Sequence, residues 1–255
     1  VATIIGMVMM TRLDCMLGAA AEMRMALAQA LHHTRHRSSF GKHLAEHPLM
    51  ANVLADLAVE SEAATVFAMR VARAVDQAGS DPQQAAFARI STAVGKYWVC
   101  KRAAVFVNEA QECLGGAGYV EESMLPRLYR QAPLNSIWEG SGNIQCLDVL
   151  RALSREPQVL QALDAELDAV AGVDAIYDAA LRALRAQLAA TPEQAQARRI
   201  TERLALMLQA AVLLHAQSPN ASVFIRSRLG AEHGMAFGTL PADVDFAAVL
   251  RRALP

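Results

Sequence analysis

Apolar positions recur along this chain at intervals of three and four residues, the spacing that lines one face of an α-helix. From about Arg12 to Arg35, such a face collects Leu13, Met16, Leu17, Ala20, Met23 and Leu27, which predicts a first helix. A loop follows at Ser38-Ser39-Phe40-Gly41-Lys42. Pro48, in a first turn where its missing N–H costs nothing, opens a second helix that ends near Gly79. Asp81 as cap and Pro82 at the first helical position start a third, through Ile90, Val94, Tyr97, Val105 and Leu114 to a stop at Gly115-Gly116. A loop and short turns lead to Trp138, and a fourth helix follows Gly142 through Leu147 and Leu150 to about Leu153. Alternating β-branched runs closed by hairpin turns are nearly absent. Two of these helices are about thirty residues long, hence roughly 45 Å. Long, Ala- and Leu-rich helices with short connections predict an all-α fold, an antiparallel four-helix bundle over residues 1–154.

Beyond Arg155 the texture changes. Residues 157–190 are rich in Ala, Leu and Asp, and Thr191-Pro192-Glu193 is expected to cap another helix. Later turns fall at Ser218-Pro219-Asn220 and Leu240-Pro241. Residues 155–255 therefore read as a second, smaller helical unit. No repeat or low-complexity linker separates it from the bundle, so the two are expected to pack together.

Composition narrows the picture. The chain is 54% hydrophobic but only 5% aromatic, so its apolar content is mostly helix-compatible Ala, Leu, Val and Met. With 24 basic and 25 acidic side chains, the net charge of -1 advertises neither nucleic acid nor an anionic membrane as a partner. Cys15, Cys100, Cys113 and Cys146 are scattered without a Cys-x-x-Cys pair, against a disulfide framework or a closed zinc site, and a reducing, cytoplasmic setting fits them. The apolar opening Val1 to Met10 is too short to span a bilayer and lacks the charged start of a signal peptide. It reads like the middle of a protein, so a longer parent is expected.

Three stretches could carry chemistry. In Asn135-Ser136-Ile137-Trp138-Glu139-Gly140-Ser141-Gly142-Asn143 a carboxylate follows two apolar residues and meets a flexible segment that feeds a helix. Apolar neighbours disfavour a carboxylate's charged form and move it toward the range of a useful base. The helix start can hold phosphate or ring oxygens. Glu before Gly at a helix start also serves as a plain dipole-favoured cap, and from the residues alone that reading leads. Leu114-Gly115-Gly116-Ala117-Gly118-Tyr119 misses the spacing of a dinucleotide-binding loop and follows a helix rather than a strand, so it is a routine helix stop or a bare-backbone platform for a nucleotide. In Arg35-His36-Arg37-Ser38-Ser39-Phe40-Gly41-Lys42, Arg37 could fork onto a diphosphate and Phe40 could pack on a planar ring, although basic residues also end helices without any ligand.

Taken in order, Arg37-x-x-Phe40-Gly41-Lys42, Leu114-Gly115-Gly116-x-Gly118-Tyr119 and Ile137-x-Glu139-Gly140-Ser141 resemble the C-terminal helical domain of acyl-CoA dehydrogenases. Thr11-Arg12-Leu13-Asp14-Cys15, His47-Pro48-Leu49-Met50, Glu121-Glu122-Ser123, Leu125-Pro126-Arg127-Leu128-Tyr129-Arg130 and Trp138-Glu139-Gly140-Ser141-Gly142-Asn143-Ile144 are similar to the alkylation-response (AidB-type) branch of that family. The resemblance covers roughly residues 1–154 well and the later unit more loosely. It implies Glu139 as catalytic base and an FAD cofactor lined by Trp138, Ser141 and Asn143. It also implies that Arg37 and Phe40 reach a flavin across a subunit interface, with Gly115 and Gly116 beside it. Many relatives carry Gln where this chain has Glu112, and an acid near a diphosphate is unhelpful, so Glu112 stays outside the expected site.

The implied reaction is α,β-dehydrogenation of an acyl-CoA thioester by a homodimer or homotetramer. The resemblance further implies an N-terminal helical and a middle β domain that this chain lacks, so flavin binding by the chain alone is expected to be poor. Two other readings stand beside it. The alkylation-response branch raises DNA association through residues 155–255, where about 10 Arg face about 11 Asp or Glu. Arg198, Arg199, Arg203, Arg226, Arg228, Arg251 and Arg252 would have to converge to make a basic face. The other is a catalytically retired scaffold that keeps the bundle for assembly. His32, His33, His36, His43 and His47 lie close in sequence, but no carboxylate or cysteine completes a metal set, and no metal site is expected.

Overall fold

The computed structural model describes residues 2–190 and 193–254, with side chains described from residue 7 onward. The chain is an all-α protein. Its first helix, α1 (Ala2–His36), starts ten residues before Arg12, because the apolar opening continues the same helix. Then come a miniature hairpin of two two-residue strands, β1 (Ser38–Ser39) and β2 (Lys42–His43), α2 (Pro48–Gln77) and α3 (Pro82–Leu114). Asp81 caps α3 as the sequence predicts, accepting from the Gln83 and Gln84 amides at 2.8 and 3.3 Å.

The fourth position of the bundle differs from expectation. Where a loop and short turns are predicted before Trp138, the chain forms a short turn of helix, α4 (Gly116–Tyr119), and then α5 (Leu125–Ile137). Pro126 sits in the first turn of α5, but Pro133 lies inside it. Tertiary packing overrides that breaker: Leu125 and Ala132 are buried against the bundle. After a break at 138–141 the chain resumes as α6 (Gly142–Arg155), so the catalytic candidate lies in the gap between two helices.

Gly118 explains one part of the glycine motif. A Cβ there would stand 2.4 Å from the Gln111 carbonyl oxygen, a backbone atom that cannot swing away. The tight corner from α3 into α4 therefore demands glycine.

The remaining elements are α7 (Pro157–Asp168), α8 (Ala175–Ala189), α9 (Ala197–His215), α10 (Ala221–Arg228) and α11 (Phe246–Ala253). The predicted Thr191-Pro192 cap lies outside the described residues; Gln194–Gln196 form a single 3-10 turn ahead of α9. These helices lie directly on the bundle, α7 on α3 and both α9 and α11 on α2. One continuous apolar core runs from Met16, Phe67, Phe87 and Phe106 into Tyr177, Leu208 and Phe224. Arg70 on α2 adds a bidentate pair to Glu166 of α7 at 2.6 and 2.8 Å, its guanidinium stacked 4.1 Å above the Phe87 ring.

Half-buried Glu22 on α1 gives a pH-dependent expectation. Burial pushes its carboxyl up to about 6, and its one partner, the Asn135 amide at 3.3 Å, only partly offsets this. Above pH ~6 the folded chain carries a poorly solvated charge that the unfolded chain hydrates freely. Stability therefore falls as pH rises from about 4.5 through 6. Glu22→Gln should raise stability at pH 8 by about 1 kcal/mol, allowing for solvent screening, and leave it unchanged near pH 4. Thermal melts at the two pH values check this; equal effects at both would contradict the assignment.

Candidate active site

The turn Trp138-Glu139-Gly140-Ser141 connects α5 to α6 and holds the strongest chemical candidate. Glu139 has φ +55° and Gly140 φ +96°, so a residue with a side chain occupies the left-handed region. That costs Glu139 about 1 kcal/mol, and such conformations persist where the surroundings over-determine them. Here they do. Lys96 of α3 donates from Nζ to the Trp138 and Gly140 carbonyls at 2.7 and 2.6 Å. Gln145 Nε2 donates to the Glu139 and Gly140 carbonyls at 3.0 and 2.9 Å, and Arg12 Nε to the Glu139 carbonyl at 3.2 Å. Three consecutive carbonyls thus accept from three helices, α1, α3 and α6.

The anchors are themselves anchored. Arg12 pairs with Asp148 at 2.9 Å, and Arg89 reaches the other oxygen of Asp148 at 2.8 Å and Glu156 at 3.3 Å. Behind the turn, the Cys100 thiol donates to the Cys15 carbonyl at 3.3 Å. Burial pushes the Cys15 and Cys100 thiols up, so both are inert packing groups rather than nucleophiles. Burial likewise pulls the Lys96 ammonium below the ordinary lysine range.

While its backbone is clamped, the turn's outer face stays open. The Trp138 ring is half exposed, its indole N–H donating to Asn135 Oδ1 at 3.2 Å. Ser141 is the N-cap of α6 and makes no side-chain capping bond, which leaves the first amides of that helix without a capping partner. Asn143 is exposed and accepts from Arg198 Nε of α9 at 2.8 Å, so the segment beyond residue 155 reaches the rim of this site.

Not all predicted site residues gather here. Arg37 lies 25 residues beyond Arg12, roughly 37 Å along α1, and Gly115 lies 19 residues beyond Lys96, roughly 28 Å along α3. Phe40, at φ +49°, forms the tip of the β1–β2 hairpin with its ring 97% exposed, and Arg37 is exposed beside it. Gly115 has φ +58° and ψ -140°, a region open to glycine alone, and a Cβ on Gly115 or Gly116 would meet nothing within 4 Å. Glu112 accepts from the Asn108 amide at 3.0 Å, away from the turn. Glu139, Trp138, Ser141 and Asn143 form one cluster; Arg37, Phe40, Gly115 and Gly116 stand apart from it within one chain.

The sequence reading missed Lys96, Arg12 and Gln145. Lys96 is followed by Tyr97 and Trp98 and could have been flagged as a charge inside an apolar helical stretch. Its partners lie 42 and 44 residues away, beyond any local pattern. Among the described residues, no group of three or more His, Cys, Asp or Glu could hold a metal ion. Nor is any helix there long and apolar enough to cross a membrane.

A profile described as acyl-CoA dehydrogenase, C-terminal domain, matches residues 1–154. The chain belongs to the acyl-CoA dehydrogenase family. It is 44% identical over 227 residues to the putative acyl-CoA dehydrogenase AidB of Escherichia coli K12, covering 89% of this chain and 42% of that protein. Among solved structures it resembles Caenorhabditis elegans ACDH-11 in complex with C11-CoA, at TM-score 0.77 and 26% identity, over 96% of this chain and 45% of that one. An acyl-CoA dehydrogenase from Bacillus anthracis complexed with FAD shares the fold at TM-score 0.67 and 19% identity, over 86% of this chain and 45% of that one. The chain thus spans less than half the length of these relatives. The family is one of FAD-dependent dehydrogenases.

Proposed function

We propose that this chain is the flavin-contacting helical half of an acyl-CoA dehydrogenase, in which Glu139 removes the α-proton of an acyl-CoA thioester. The observation that carries the reading is the turn itself: a carboxylate-bearing residue in a strained conformation, clamped by five hydrogen bonds at its backbone, with its outer face open. Strain maintained in this way concentrates at functional sites.

The residues present suit a flavin. Trp138 offers a half-exposed ring edge, and the uncapped start of α6 at Ser141 offers amide donors and a positive helix end. Arg37 and Phe40 are exposed, the Phe40 ring meeting only the edge of His47 among the described residues. Their distance from Glu139 suits contact with a second copy's cofactor, with Gly115 and Gly116 as the bare backbone beside it. When bound, the flavin supplies the two-electron acceptor for the β-hydride. Glu139 would accept the proton made acidic by the thioester carbonyl, and the clamp on residues 138–140 would fix that carboxylate's approach to the α-carbon.

We assign residues 1–154 to the family's bundle and 155–255 to an additional helical domain. The four buried free thiols suit a cytoplasmic protein. A homodimer or homotetramer is part of the same reading, since Val105, Tyr129 and Leu134 leave apolar surface on α3 and α5. Three of the seven C-terminal arginines count against the DNA-associated alternative. Arg226 pairs with Glu232 and Asp243, Arg252 with Glu62, and Arg228 is buried, so acids interleave the candidate basic face. The test is anaerobic mixing of the flavin-loaded full-length parent protein with straight- and branched-chain acyl-CoAs. At least one should bleach the flavin; a flavin left oxidised by every thioester would favour the non-catalytic scaffold.

A further inference from the structure

We infer that Lys96 is a positioning residue for the Glu139 turn, placed on α3 to fix the geometry of the reacting carboxylate. This rests on the reading of Glu139 as base. Its side chain is only 1% exposed, yet it carries an ammonium group, and both of its hydrogen-bond acceptors are main-chain carbonyls of the turn. Those carbonyls belong to Trp138 and Gly140, the two residues that flank Glu139. At 2.7 and 2.6 Å they are short, charge-assisted bonds.

Stability alone is a poor reason for a lysine here. Burying an ammonium costs several kcal/mol unless it is well paired, and among the described residues the Lys96 ammonium bonds to main-chain carbonyls and forms no ion pair with a carboxylate. A methionine of similar length would fill the same core position without that penalty. What the ammonium does, and a methionine cannot, is bridge the carbonyl before Glu139 to the one after it. Closing that bridge holds Glu139 at its positive φ, and Gln145 repeats part of it from α6, on the Glu139 and Gly140 carbonyls. Lys96 is buried and its ammonium is taken up by the turn's carbonyls, so its effect runs through the turn.

Lys96→Met separates the possibilities through two readouts. Amide hydrogen exchange in the chain should accelerate at least ~10-fold at Trp138 and Gln145, whose amides bond to the Leu134 and Ser141 carbonyls on either side of the turn, while the core of α3 stays protected. In the flavin-loaded protein, kcat should fall about 100-fold with KM and the flavin spectrum little changed, since a misplacement of about 1 Å costs that much. Unchanged exchange at Trp138 and Gln145, or kcat within twofold of wild type, would overturn the proposal. If Lys96→Met fails to fold, Gln145→Met removes the second bridge, and faster exchange over the same residues is expected; unchanged exchange overturns the clamp. Glu139→Gln run in parallel keeps the two claims apart. Bleaching retained in Glu139→Gln defeats the base reading, while the exchange rates still judge the role of Lys96.

Discussion

Replacing Arg228 with methionine should destabilise the fold by about 3–5 kcal/mol, the typical cost of removing one partner from a buried ion pair. Arg228, at the end of α10, is buried with its guanidinium between Asp56 and Glu60, one turn apart on α2. Asp56 is fully buried and also receives the His233 ring nitrogen and the Gly238 amide, each at 2.8 Å. Glu60 takes a second cation, Arg102 of α3, at 2.9 Å. Losing Arg228 leaves two buried carboxylates with too little positive charge. The same cluster ties the 229–245 segment to the bundle, so its loss should loosen the C-terminal elements together.

The sign of the pH dependence follows from these partners. Burial opposes ionisation of Asp56 and Glu60, but His233 and Arg228 around the first, and Arg102 and Arg228 around the second, hold both below the usual carboxylate range. Their stabilising contribution is present above the unfolded-state values and is lost as pH falls through the lower folded ones. The Arg228→Met defect should therefore be largest near neutrality and shrink toward pH 3, where the stranded carboxylates protonate. Urea midpoints across that range measure it; a loss under 1 kcal/mol at pH 7 would mean that the cluster adds little.

How much of this could be read from the residues depends on how far apart the partners lie. Local signals worked where one residue decides one thing: Pro48, Asp81-Pro82 and Gly115 punctuate α2 and α3 as their chemistry requires. The all-α fold and the helical character of residues 155–254 were likewise legible from periodicity. The hairpin at Ser38–His43 was not, because its turn places Phe40, rather than the usual Asn or Gly, at positive φ. Nor was α5, since Pro133 reads as a breaker until Ala132 and Leu125 are buried against the bundle. The arginines of the last hundred residues looked like a potential basic face, and only contacts across 17, 168 and 190 residues show three of them committed to acids in a neighbouring loop or on α2.

The candidate site divides in the same way. Glu139, Trp138, Ser141 and Asn143 sit in one motif and were visible as a group. Of the residues that hold that motif in shape, Lys96 stands out locally only as a charge in an apolar stretch, and nothing beside Lys96, Arg12 or Gln145 points to the carbonyls they bind. A backbone carbonyl has no sequence signature, and a clamp built on carbonyls is therefore invisible until the helices pack.

Glu139→Gln is expected to have the largest functional effect. The amide keeps the size of the side chain and leaves every bond to the Trp138, Glu139 and Gly140 carbonyls in place, because those bonds involve the backbone alone. Fold stability and flavin content should stay near wild type. What disappears is the group that accepts the α-proton. General-base catalysis contributes typically ~10²–10⁴-fold, and with no other carboxylate on this turn the loss should lie toward the upper end, about 4–5 kcal/mol of barrier.

The most direct measurement is the single-turnover rate of flavin bleaching by a saturating acyl-CoA, compared between wild type and Glu139→Gln under anaerobic conditions. The account predicts a rate at least ~10³-fold lower in the variant with thioester affinity unchanged within a few-fold. A variant that bleaches its flavin within tenfold of the wild-type rate would contradict it and take the base away from Glu139.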